Sequence, residues 1–63
     1  MYLVLTQTIE GTFVPLGGVH VEHSNLCEAF VYAAQKPFIG QTVQIVIARS
    51  RLPVTSPFIV WPD

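Results

Sequence analysis

The segment TVQIVIAR, residues 42–49, sets the terms for everything around it. Val43, Ile45 and Ile47 alternate with Thr42, Gln44, Val46 and Ala48, so a strand would put three β-branched residues on one face and a half-apolar set on the other. A strand that is apolar on one side and partly apolar on the other belongs in the middle of a sheet, with a neighbour along each edge and cover over its faces. The rest of the sequence offers candidates for those neighbours and for part of that cover.

The first neighbour is YLVLTQTI, residues 2–9, where Leu3, Leu5 and Ile9 alternate with Tyr2, Val4 and the threonines. Glu10-Gly11 reads as a tight turn, since glycine supplies the positive φ that hairpin connections need, and TFVPL resumes the extended pattern. Pro15 has no N–H and confines its strand to an edge or a bulge, and Gly17-Gly18 marks the same irregularity. VHVEH, residues 19–23, alternates again, with Val19 and Val21 on one face and His20 and Glu22 on the other. The second strand is therefore predicted to be long and kinked.

Cover for the sheet comes from the next segment. Ser24 or Asn25 is a good N-cap, and Glu28 stands where a capping box and the helix dipole both favour a carboxylate. LCEAFVYAAQK then predicts a three-turn helix running up to Pro37, with Lys36 at its carboxyl end. At 100° per residue, Leu26, Cys27, Ala29, Phe30, Val31, Ala33 and Ala34 cover an arc of roughly 200°, while a helix on a two-layer domain needs a little over 100°. The excess is expected to meet another chain. After the central strand, SRLPVTSPFIVWPD carries Pro53, Pro57 and Pro62, which exclude helix but permit extended structure, with FIVW at 58–61 as a short edge strand. The expected fold is α+β, a β-β-α-β-β two-layer domain with one helix packed on a mostly antiparallel sheet. Residues 1–63 form one domain, with an apolar, Pro-rich arm at about 52–63 that either docks on a neighbour or folds back as the last strand.

Only VHVEHSNLC, residues 19–27, gathers groups with chemical potential: two histidines, a glutamate and the single cysteine. A zinc site needs four ligands converging on one point. His20 and His23 are an odd number of residues apart and point to opposite faces of a strand, and Cys27 falls on the apolar side of the helix start, as a small core residue. No metal and no cofactor is expected. Glu10, Glu22 and Glu28 lack a nucleophile and an oxyanion set around them, so the chain reads as non-enzymatic. Gly17-Gly18 leads to a strand and does not open a helix, which removes a phosphate loop. The length and strand-helix-strand order resemble the small tautomerase family, whose base is an amino-terminal proline; residue 2 is Tyr, so the resemblance carries over no catalytic residue.

Composition narrows the partner. Charged residues make up 11% of the chain against a usual share of about 25%, while 51% are hydrophobic. Lys36, Arg49 and Arg51 are all the basic residues present and the net charge is −1, so no nucleic-acid partner is expected. The same scarcity of charge leaves little repulsion between copies. The opening MYLVLTQT has neither the basic start nor the long apolar run of a signal peptide, and no stretch reaches the roughly 18 apolar residues of a membrane span. With one cysteine and no internal disulfide, an intracellular or virion location without membrane contact is the expectation.

These features together point to a non-catalytic interaction or assembly protein that covers a surface in a homo-oligomer or a larger particle, as a virion decoration or accessory subunit does. Its partner-facing residues are expected to be Leu52, Val54, Phe58, Ile59, Val60 and Trp61 on the arm, with Val31 and Tyr32 on the helix. The alternatives are a small phage-type inhibitor that blocks a host protein, and a minimal enzyme with a site between protomers built from His20, Glu22 or Cys27.

Overall fold

A computed structural model describes residues 1–62 of the chain; the last position of the arm, Asp63, lies outside the described residues. One helix packs on a five-stranded antiparallel sheet, the expected α+β arrangement. Strand β1 (Tyr2–Gln7) lies along β4 (Thr42–Ile47) through five residue pairs, from Tyr2 opposite Ile47 to Thr6 opposite Val43. Strand β5 (Phe58–Ile59) borders the far side of β4, so TVQIVIAR is a central strand as its pattern requires.

The other edge of β1 is shared by two short strands, β2 (Phe13–Pro15) and β3 (Glu22–His23). Leu5 faces Pro15 but Leu3 faces Glu22, so five residues more than a continuous strand needs are looped out between them. This is the kinked second strand, and its cause is local. Pro15 cannot continue the ladder, and Gly17 and Gly18 both take φ of 78°, a left-handed conformation that turns the chain away from β1. Glycine is needed at 17 for a second reason: a Cβ there would stand 3.1 Å from Tyr32 Oη and 3.3 Å from Phe38 Cζ. The loop corrects the expected pairing at 19–21, since Val19 leaves the strand and is exposed. The first hairpin is also shorter than its pattern suggests. Thr8 N–H donates to Thr12 O and Gly11 N–H to Thr8 O, which closes the turn and leaves Ile9 wholly in solvent.

Helix α1 (Leu26–Ala33) starts as expected. Asn25 Oδ1 accepts from Glu28 N–H at 2.9 Å, and the Glu28 carboxylate reaches back to accept from Ser24 N–H and Oγ. It ends earlier than the three turns expected. Pro37 has no N–H for the carbonyl of Ala33, and its ring would collide with that carbonyl, so Ala33 is the last helical residue and Pro37 falls in a separate turn, Lys36–Phe38.

Register assigns the faces. Tyr2, Val4, Val43 and Ile45 look toward α1, and with Ala29, Ala33, Leu16 and Val60 they make the main core. Ala29 and Ala33, four residues apart, are the close contact, their small side chains letting the helix settle on β1 and β4. Leu3, Leu5 and Val46 are buried on the opposite face against Phe13 and Ala48, so the outer side of the sheet is covered in part as well. Each fully buried aliphatic side chain contributes about 1.5–3 kcal/mol, which matters in a chain near the lower size limit for an independent core.

Much of the arm folds home. Pro53 bridges to Val46, and Ile45 O accepts from both Val54 and Thr55 N–H, at 2.9 and 3.2 Å. The N–H of buried Ile45 is answered by a hydroxyl, Thr55 Oγ1 at 3.2 Å, while Gln44 Nε2 donates to Thr55 O. Thr55 thus fastens a proline-broken segment to the central strand. Beyond it Val60 N–H donates to Gln41 O, and Val60 O accepts from Gly40 N–H.

Candidate functional site

The histidine and cysteine groups of residues 19–27 are dispersed by the fold. His20 Nε2 lies 2.9 Å from Glu22 Oε2, both side chains nearly half exposed. His23 points to the helix side of the sheet, buried, its ring 4.9 Å from that of Tyr32. Its Nε2 has no hydrogen-bond partner among the described residues. Cys27 is exposed on α1 and not a core residue. Among the described residues no three His, Cys, Asp or Glu side chains stand close enough to hold a metal ion.

One cavity, of about 390 Å³, opens where the start of β1 meets the end of β4 and is lined by Met1, Glu22, Ala48 and Arg49. Glu22 and Arg49 both border it, and His20 is hydrogen-bonded to the Glu22 carboxylate. Among the described residues its lining includes no serine, threonine or cysteine.

The larger feature is apolar surface, and α1 has two unequal sides. Tyr32 donates from its hydroxyl to Leu16 O and packs at a tilt against both His23 and Phe38, with centroids at 4.9 and 5.4 Å. That side is filled. Around the helix, Val31 lies opposite the Ala29/Ala33 contact, and Cys27, Ala34 and Phe30 follow on the flank turned toward β5. All four are exposed, Val31 at 63% and Phe30 at 43%. Phe30 also touches Phe58 across 5.7 Å, which joins the open helix flank to the arm.

The residues expected to face a partner divide accordingly. Val31, Leu52, Ile59 and Trp61 are open to solvent, Trp61 at 70%, and Val54 is just over one-third exposed. Phe58 is partly buried against the main core and joins the open flank through Phe30. Two of them turn inward. Val60 is 5% exposed and belongs to the core, because its backbone pairs with Gln41 and turns the side chain under α1. Tyr32 is held inward by its hydrogen bond to Leu16. Cys27, Phe30 and Ala34, members of the over-wide apolar arc but not among the residues expected to face a partner, join the open face. The signal for them was the Ala29/Ala33 pair: two small residues four apart mark the line of closest approach and so fix which part of the apolar arc turns inward.

Ile59 sits on the outermost strand. Since Val60 pairs inward with Gln41, the alternation of an antiparallel ladder turns the Ile59 N–H and C=O outward. Pro57 and Pro62 bracket this edge and keep it short. No helix among the described residues is long and apolar enough to cross a membrane. No protein-family model matches the chain, and no curated protein and no solved structure was matched by it.

Proposed function

We propose that this chain is a non-catalytic interaction protein that covers a surface, in a homo-oligomer or as an accessory or decoration subunit of a larger particle such as a virion. The observation that carries the reading is the solvent side of α1, where Cys27, Phe30, Val31 and Ala34 form an apolar strip that no third layer of the described residues covers. Apolar surface of this kind is costly in water and becomes favourable once a partner removes it from solvent. Trp61 and Leu52 on the arm add large apolar groups of the type that anchor protein interfaces. The low charge fits a protein that works packed against neighbours. The same scarcity of charge suits a subunit held within a larger particle.

The test uses the chain in its native setting. Recovered from the cells or particles that contain it, the chain should travel by size exclusion with light scattering as part of something larger than itself. Val31→Asp should release it while its circular dichroism stays unchanged. A native chain that travels alone, or a complex indifferent to both Val31→Asp and Trp61→Asp, contradicts the reading.

One observation favours a second reading, a minimal enzyme: the His20–Glu22 pair stands beside the cavity that Arg49 lines. His20→Ala separates the two. Under the interaction reading the complex and its biological effect survive; loss of the effect with the complex intact would favour catalysis.

A further inference from the structure

We propose that the partner on α1 is a second copy of this chain, packed helix against helix and antiparallel about a two-fold axis at Val31; the inference rests on the interaction reading above. A two-fold interface must be self-complementary, each residue meeting the reciprocal residue of the other copy, and the strip on α1 has that form. Val31 stands at its centre, with small Cys27 toward the amino end and small Ala34 toward the carboxyl end. Residues spaced by three and four along one face are the seam by which helices interlock. The small ends allow the axes to approach to about 8–10 Å, the usual distance for such packing.

Charge selects the antiparallel arrangement. Glu28 lies in the first turn of α1 and Lys36 just beyond the last, both exposed. Antiparallel copies set the acidic end of each helix against the basic end of the other, and oppose the helix dipoles favourably. A parallel pair would place like beside like. With a net charge of −1 on each copy, long-range repulsion between them is slight.

Area then says how far the contact must spread. A stable interface takes about 800 Å² from each partner, close to a fifth of the 4170 Å² the chain exposes. An eight-residue helix is about 12 Å long and too short to supply that alone. The contact therefore extends from α1 across Phe30 and Phe58 toward the arm, the direction in which the apolar surface already runs.

Cysteine cross-linking in the purified full chain tests the geometry. In a Cys27→Ser background, Val31→Cys should link two copies rapidly under mild oxidation, since residues on the axis fall within the 4.4–6.8 Å Cα separation that a disulfide spans. The native Cys27 thiols should not link, because antiparallel packing holds them about 12 Å apart along the helices. Light scattering on the unlinked wild type should give twice the monomer mass. A monomer at every concentration without cross-linking at position 31 overturns the inference, as does a link through Cys27 as fast as through Val31→Cys. If the purified chain is monomeric while Val31→Asp still frees it from a native complex, the second copy is wrong and the interaction reading stands with a different partner.

Discussion

The arm and the outer side of α1 are both apolar stretches that a small sheet has no obvious room for, yet one is largely taken in and the other left out. What separates them is the backbone. Residues 53–60 form no helix and arrive with unpaired N–H and C=O groups, and the free edge of β4 offers partners, so hydrogen bonding at Ile45 and Gln41 draws the segment home, with Val60 in the core. A helix satisfies its own backbone, and nothing but side-chain contact can cover its far face. A two-layer fold has no third layer to do so. An apolar arm is thus weak evidence for a partner in a protein of this kind, and an apolar outer helix face is stronger.

Substitutions that place the same change in both regions should show this most sharply. Val60→Asp puts a carboxylate into the main core and should cost more than about 3 kcal/mol, enough to leave so small a chain unfolded by circular dichroism. Gly17→Ala, beneath the filled side of α1, meets both a left-handed backbone and the Tyr32 and Phe38 rings; a loss of about 2 kcal/mol in urea denaturation is expected. If Gly17→Ala were neutral, the two sides of the helix would differ less than described. Thr55→Val removes the hydroxyl that answers the buried Ile45 N–H and should cost about 1–2 kcal/mol; exchange of the Ile45 amide with deuterium should quicken with it. Smallest, and opposite in sign, His23→Phe replaces a buried ring nitrogen that has no partner among the described residues, and thermal unfolding should shift upward by the equivalent of about 1 kcal/mol.

Those residues also mark where sequence pattern stops being informative. The centrality of TVQIVIAR, the break at Pro15 and Gly17-Gly18, and the cap at Asn25 with Glu28 are all local rules, and each is found in place. Cys27 illustrates the first limit. An apolar arc of roughly 200° says that part of a helix face is surplus but not which part, and only the Ala29/Ala33 contact decides that Cys27 lies outside. Thr55 illustrates the second. Its role depends on an amide ten residues away across a strand pair, a relation no periodicity carries. The helix end lies between these cases, since a proline at 37 already names Ala33 as the carbonyl its ring must avoid.

The most direct test of the central claim, that the outer side of α1 is the working surface and meets its own kind, is the molar mass of the purified chain by light scattering over a concentration series, wild type beside Val31→Asp. Because Val31 is exposed, the substitution should leave stability within about 0.5 kcal/mol. The wild type should rise to twice the monomer mass and Val31→Asp should remain monomeric, with an unfolding midpoint equal to that of the wild type at dilutions where the wild type is monomeric too. Equal masses for the two proteins at every concentration would contradict it.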